Sequence, residues 1–110
     1  MADVTPKSIF EESFTKKLIE HPDLAKEVNA VILFVVSGPA GGEWTADFTK
    51  SAGWISAGTH ASPKMTVSMS DEDLIKMVKK ELNPQMAAMS GKLMFKPFDM
   101  PLAMKLGKLF

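Results

Sequence analysis

Residues 70–110 decide the fold, and they read SDEDLIKMVKKELNPQMAAMSGKLMFKPFDMPLAMKLGKLF. Their apolar spacing and their proline and glycine breaks predict three helices and one strand. The stretch is also rich in methionine, a flexible side chain that adapts to irregular apolar shapes. Its methionines are Met77, Met86, Met89, Met94, Met100 and Met104. A loosely specified core and a cavity for ligands of variable shape would both produce this composition.

Capping residues mark where the helices of this stretch begin. Ser70 suits the N-cap of a first helix, whose apolar stripe runs from Leu74 to Leu82. Asn83 ends that helix and caps a second one over residues 84–90. This second helix begins with proline, which is favoured at a first helical position.

The end of the chain predicts a strand over residues 92–96 and, after Pro97, a final helix capped by Asp99. A helix of only about ten residues is marginal without tertiary contacts. It is either an ordinary terminal helix that closes the core or a lid over an apolar cavity. The sequence leaves both alternatives open.

The start of the chain predicts an amphipathic helix of about four turns. Thr5 caps it, Pro6 takes its first position, and the His-Pro pair at residues 21–22 ends it. Its apolar side is formed by Ile9, Phe10, Phe14, Leu18 and Ile19. A further helical turn is expected over residues 23–28.

Four strands are predicted to follow. Residues 29–37 (NAVILFVVS) are apolar on both faces. Such a strand is covered on both faces, or is covered on one and lines a cavity on the other. Residues 43–50 alternate as a half-exposed antiparallel strand does, and shorter strands are predicted over residues 54–58 and 65–69. Short turns join the four strands, so we expect a meander.

The predicted order is one helix, four strands, two helices, one strand and a final helix. This order indicates an α+β fold with a five-stranded, mainly antiparallel sheet. So few helices can cover only one face, and the other face should be partly solvated. A length of 110 residues suits a single domain over residues 1–110.

Composition excludes several classes of protein. Thirteen lysines balance thirteen acidic residues, whereas a nucleic-acid binder is expected to be basic. The chain has no cysteine and therefore no disulfide or thiolate metal site. The longest apolar run, residues 30–36, is too short for a membrane helix. Without a recognisable signal peptide or a peroxisomal C-terminal tripeptide, we expect a soluble, cytoplasmic protein.

No set of residues resembles a catalytic centre, so we expect that the chain is not an enzyme and needs no cofactor. His21 and His60 are the only imidazoles, and they lack the spacing of a zinc site. The Gly-x-Ser-x-Gly nucleophile motif is absent. The adjacent acids at residues 71–73 are better explained by the positive end of a helix dipole.

Four motifs resemble, in order and spacing, those of the sterol carrier protein-2 domain family. They are residues 69–74 (MSDEDL), 82–87 (LNPQMA), 90–93 (SGKL) and 101–106 (PLAMKL). Trp44 and Asp47, which follow a glycine-rich turn, also resemble the second strand of that family. The resemblance extends over about residues 7–109.

The resemblance implies a five-stranded sheet with helices on one face and an apolar tunnel between them. It implies binding of a sterol, fatty acid, fatty acyl-CoA or phospholipid, with lipid transfer between membranes in some members, and no catalysis by the domain itself. The chain departs from the family at Pro97 and Pro101, where the family has glycine, and at Ser90, where it often has glutamine. The two prolines predict a stiffer hinge before the last helix.

We predict that the chain binds such a lipid as a monomer or weak dimer, with transient membrane contact and no nucleic-acid partner. The candidate tunnel residues are Phe14, Leu18, Leu33, Val35, Met77, Met86, Met89, Phe95, Leu102 and Leu106. An error of one residue would exchange the two faces of a strand in this set. The alternative is a non-catalytic interaction or accessory module of an acyl-CoA or lipid pathway, with a closed core. An apolar void of about 300 Å³ or more would favour the lipid binder.

Overall fold

A five-stranded sheet forms the centre of the protein. The computed structural model describes residues 5–50, 53–58, 63–96 and 99–109. The strands are β1 (Val31–Ser37), β2 (Gly42–Asp47), β3 (Ile55–Ala57), β4 (Met65–Ser70) and β5 (Met94–Lys96). They lie in the order β3-β2-β1-β4-β5. His60 and the predicted hinge residue Pro97 lie outside the described residues.

The strand β1 occupies the middle of the sheet. It pairs antiparallel with β2 and parallel with β4, and antiparallel pairs attach β3 to β2 and β5 to β4. The predicted α+β fold with a mainly antiparallel sheet is confirmed. The predicted meander of four strands is wrong for β4, which pairs with β1 and not with β3. A strand that is apolar on both faces is favoured at an interior position of a sheet, and β1 takes that position.

The first helix, α1, contains a π-helical segment in its middle. It is α-helical over Pro6–Ser8, π-helical over Ile9–Phe14 and α-helical over Thr15–Glu20. Thr5 caps the helix as predicted. Its hydroxyl accepts a hydrogen bond from the Ser8 amide at 3.1 Å, and its amide donates to the Ser8 hydroxyl at 2.9 Å.

The buried side of α1 is narrower than predicted. Ile9, Phe10, Phe14 and Leu18 are buried, but Ile19 is 66% exposed. Successive residues of an α-helix are rotated by about 100°. Because Leu18 points into the core, Ile19 points away from it.

The remaining helices are short. They are α2 (Pro22–Val28), α3 (Asp71–Val78), α4 (Pro84–Met89) and α5 (Met100–Leu106), and a 3-10 turn, Gly107–Leu109, extends the last. The helix α3 ends before the predicted Leu82. Lys80 takes a left-handed φ of 67°, and the Glu81 amide donates to the Lys76 carbonyl at 2.8 Å. This pattern closes the C-terminus of a helix.

Aromatic contacts hold α1 on one face of the sheet. The Phe10 ring stacks on Trp44 with 4.8 Å between centroids, and its centroid is 5.0 Å from that of Phe34. Phe34 and Trp44 are register partners in β1 and β2, so they lie side by side on this face. The Trp44 indole also donates a hydrogen bond to the Glu11 carboxylate at 3.3 Å. These contacts place α1 over the β1–β2 side of the sheet.

The opposite face of β1 carries Leu33 and Val35. The core cluster of the described residues includes neither of them. In the register, Leu33 lies between Thr45 and Thr66, and Val35 is paired with Ser68. Leu33 and Thr45 are buried on this face, whereas Val35, Thr66 and Ser68 are partly exposed, so only part of the face is solvated.

We predict that Phe10→Ala lowers the free energy of unfolding by about 3–5 kcal/mol, because it removes a fully buried ring between α1 and the sheet. Urea denaturation measures the change. The control is Ile19→Ala, which shortens an exposed side chain of the same helix and should cost less than about 0.5 kcal/mol. Equal losses in the two variants would contradict the role of the Phe10 contact.

Candidate functional site

A cavity of about 610 Å³ lies between the sheet and the helices α4 and α5. This volume exceeds the value of about 300 Å³ at which the range for ligand sites begins. None of the described residues that line it carries a charge. The cavity is therefore suited to an apolar ligand.

The sheet forms the floor of the cavity. Val67 of β4 is the register partner of both Phe34 in β1 and Phe95 in β5. The three side chains therefore form one row across the sheet, on the face that also packs against α1. The sheet-side residues at the cavity are Phe34, Val67, Leu93 and Phe95.

The helix α4 forms one wall. The Asn83 side chain caps it as predicted, accepting hydrogen bonds from the amides of Gln85 at 2.8 Å and Met86 at 3.4 Å. Ala87 is fully buried and attaches the helix to the core. The cavity residues of this wall are Asn83, Pro84, Gln85, Ala88 and Met89.

The helix α5 forms a second wall. The predicted cap is present, because the Asp99 carboxylate accepts a hydrogen bond from the Leu102 amide at 3.1 Å. Leu102 and Leu106 are buried, and after the helix the Lys108 ammonium lies 2.7 Å from the Glu27 carboxylate of α2. The cavity residues of this wall are Met100, Ala103, Met104, Leu106 and Gly107.

Exposed methionines lie where the cavity meets solvent. Met89 is 78% exposed, Met100 56% and Met104 68%, although all three line the cavity. Methionine has a flexible, polarizable side chain. The mouth of the cavity can therefore adapt to the shape of an apolar molecule.

The charged side chains with a resolved interaction lie outside the lining of the cavity. The pKa of the Lys17 ammonium lies below its ordinary value. Partial burial is the main cause, and the positive charge of Lys80 is the smaller one. The acids at residues 71–73 stand at the start of α3, where the Asp71 carboxylate accepts a hydrogen bond from the Ala40 amide at 3.1 Å. Among the described residues, no cluster of histidine and acidic side chains is arranged to hold a metal ion.

The structure places three of the ten candidate residues at the cavity. They are Met89, Phe95 and Leu106. Met86 lies on α4 beside Met89, but it is outside the lining and is 60% exposed. Contact of these residues with a ligand stays a prediction.

The other six candidates lie elsewhere. Four are buried in the core without lining the cavity: Phe14, Leu18, Met77 and Leu102. Leu33 and Val35 require a correction, because they lie on the opposite face of the sheet. Side chains alternate along a strand, so the residue of β1 that reaches the cavity is Phe34.

Several lining residues were not among the candidates. Phe34 could have been found from the hairpin, because the Gly-rich turn brings it opposite Trp44, the largest apolar residue on the buried face of β2. Met100 and Met104 could have been found from their spacing of four on α5. Ala103 and Gly107 are small and give no sequence signal for a cavity wall.

The fold and the cavity define a small α+β domain with an uncharged cavity between its sheet and its last two helices. The chain belongs to the SCP-2 sterol transfer family, whose sequence profile matches residues 10–110. Membership of this family implies lipid binding or transfer. None of the described helices is long and apolar enough to cross a membrane.

Relatives of known structure confirm the fold. The sterol carrier protein domain 2 of Helicoverpa armigera has a TM-score of 0.77 at 26% identity, over 99% of this chain and 91% of that one. Sterol carrier protein 2 like 2 of Aedes aegypti has a TM-score of 0.75 at 24% identity, over 94% of each chain.

Curated relatives are much longer than this chain. Hydroxysteroid dehydrogenase-like protein 2 of Pongo abelii is 41% identical over 88 residues, which are 79% of this chain and 21% of that protein. The chain thus spans about a fifth of the length of the curated relatives it matches.

We predict that Asp99→Ala loosens the α5 wall, because it removes the acceptor for the Leu102 amide. The loss of an N-cap costs about 1 kcal/mol, and amide hydrogen exchange in α5 should accelerate. The control is Ser70→Ala, which removes the matching cap of α3 and should leave exchange in α5 unchanged. If both variants accelerate α5 equally, its stability does not depend on the Asp99 cap.

Proposed function

We propose that the chain binds a lipid in the cavity between the sheet, α4 and α5, and carries it between membranes. The observation that supports this most directly is the apolar cavity of about 610 Å³. It favours the binder over the alternative with a closed core. Family membership supports the same conclusion.

The lining determines how a lipid would be oriented. Burial of apolar ligand surface contributes roughly 25 cal/mol per Å² before the costs of ordering. Because the described lining has no charged side chain, an acyl chain or sterol ring system would enter the cavity. A charged head group would stay at the methionine-lined mouth. Fatty acids, acyl-CoAs and phospholipids combine such an apolar part with a charged group, and a sterol has an apolar ring system without charge, so all four classes fit the lining.

We further propose that the chain catalyses no reaction by itself, works in the cytoplasm and is a monomer or weak dimer. The absence of charge in the described lining supports the first point, since general acid–base catalysis requires a positioned titratable group at the reacting atoms. Size-exclusion chromatography tests the oligomeric state, and imaging of the tagged protein in its source cell tests the location.

A second candidate function is that of an accessory domain that presents a lipid to an enzyme. The length of the curated relatives favours it, because the matched region is 21% of a protein named as dehydrogenase-like. In this case too, the cavity would hold the lipid. In the first function the lipid is delivered to a membrane, and in the second it is delivered to an enzyme.

We predict that the protein, purified without detergent, carries lipid that native mass spectrometry detects at up to one molecule per chain. The mass of the lipid would identify its class. The proposed function would be contradicted if the purified protein contained no lipid and also failed to take up a fluorescent fatty acid. The closed accessory module would then be favoured.

We predict that Ala103→Trp lowers the affinity for a fluorescent fatty acid at least tenfold. Ala103 is half-buried in the α5 wall, so the indole would occupy space that the ligand needs, and a tenfold loss corresponds to about 1.4 kcal/mol of binding free energy. The control is Ala57→Trp, the same change at an exposed position of the edge strand β3. Unchanged affinity in Ala103→Trp, with an unfolding transition like that of the wild type, would place the ligand outside this cavity.

A further inference from the structure

The described methionines fall into two groups that differ in exposure. Met65, Met69 and Met77 are buried in the core, each with at most 4% of its surface exposed. The members of the second group have exposed fractions between 56% and 78%, and they are Met86, Met89, Met94, Met100 and Met104. Oxidation of methionine follows exposure. An oxidant dissolved in water would therefore react with the second group first.

Three of the exposed methionines line the mouth of the cavity. They are Met89 of α4 and Met100 and Met104 of α5, and we call them the mouth methionines. Among the described residues, the only exposed large apolar side chain that is not a methionine is Ile19, which does not line the cavity. The exposed large apolar side chains at the mouth are thus all of the aliphatic type that a peroxide converts to a polar group.

The thioethers are the only sulfur groups that a peroxide can oxidise in this chain, because it contains no cysteine. In the reaction, a lone pair of the thioether sulfur attacks one oxygen of the peroxide. The O–O bond breaks as the S–O bond forms, and a proton moves from the transferred oxygen to the departing one. With hydrogen peroxide the products are methionine sulfoxide and water, and the sulfur has lost two electrons.

Oxidation would make the mouth polar and leave the core intact. The sulfoxide oxygen is a hydrogen-bond acceptor, and burial of a polar group against an apolar ligand is unfavourable. In the free protein the same oxygens lie in water, because the mouth methionines are all more than half exposed. The cost therefore falls on the lipid complex and not on the folded chain.

We infer that Met89, Met100 and Met104 are sites of reversible oxidation by a peroxide, and that their sulfoxides switch off lipid binding. This inference rests on the proposed lipid binding and adds its regulation. Methionine sulfoxide is reduced back to methionine by epimer-specific reductases. The protein would therefore regain its affinity for lipid after the oxidant is removed.

The test measures the affinity of the full chain for a fluorescent fatty acid before and after treatment with hydrogen peroxide, and peptide mass mapping locates each sulfoxide. At a dose that oxidises the exposed Met94, we expect sulfoxides at the mouth methionines and none at Met65, Met69 or Met77. The affinity should fall at least about tenfold, because three polar groups then face the ligand. Both sulfoxide reductases with a dithiol reductant should restore it. Unchanged affinity with all three mouth methionines oxidised would overturn the inference.

Two variants with the same chemical change separate the mouth from other exposed positions. The first combines Met89→Leu, Met100→Leu and Met104→Leu, which keep apolar side chains of similar volume and remove sulfur from the mouth. The control combines Met86→Leu and Met94→Leu, at exposed positions outside the lining. Each protein is compared with itself before and after peroxide, so differences in basal affinity do not matter. Peroxide should weaken binding by the control and not by the triple variant, and equal losses in the two would contradict the assignment.

Protection by the ligand tests the same residues without any substitution. Saturating fatty acid should slow oxidation of the mouth methionines in the wild type. It should not slow oxidation of Met94, which lies on the opposite face of the sheet with Ser68 as its register partner. Equal rates with and without the fatty acid at all three mouth methionines would show that the ligand does not cover them and would overturn the inference.

The remaining outcomes distinguish a switch from damage and from failure of lipid binding. Loss of affinity together with loss of the cooperative urea transition would mean that peroxide unfolds the chain, and it would overturn the switch. Uptake that oxidation does not change would overturn this inference alone. An untreated protein that takes up no fatty acid would contradict the proposed function and, with it, the inference.

Discussion

The contact of Phe10 with Phe34 and Trp44 fills one part of the helix-covered face of the sheet, and the cavity lies over the other part. Over β1 and β2, aromatic rings fill the space beneath α1. Over β4 and β5, the covering helices are short and bring mainly alanine, methionine and leucine toward the sheet, so the space is not filled. Phe34 belongs to both parts, because it contacts Phe10 and also lines the cavity. The floor of the site is therefore held by the same packing that holds the core.

Local features of the fold could be predicted from the sequence, and long-range pairings could not. The caps at Thr5, Ser70, Asn83 and Asp99 were all predicted, because an N-cap depends on residues within one turn of it. The pairing of β4 with β1 depends on which strand best fills the place beside β1, and turn length does not determine this. The early end of α3 depends on a left-handed Lys80, a conformation that its residue type does not indicate.

The site could be predicted only in part, because a core and a cavity wall have the same composition. Leu102 and Leu106 are four residues apart on one side of α5, yet only Leu106 lines the cavity. Met77 is 1% exposed in the core, whereas Met89 is 78% exposed at the mouth. Helical spacing identifies the apolar side of a helix, but the part of that side that lies over filled space depends on the neighbouring elements.

The two explanations of the last helix, core closure and a lid, are separated by their energetic cost. Opening α5 as a unit would expose Leu102 and Leu106, and each buried leucine contributes about 1.5–3 kcal/mol. The exposed Lys108–Glu27 pair adds little, because solvent screens it. Rotation of exposed methionine side chains at the mouth needs no such loss and occurs within nanoseconds. A ligand of the proposed kind would therefore meet a mouth that adapts through Met89, Met100 and Met104 before it required any movement of the α5 backbone.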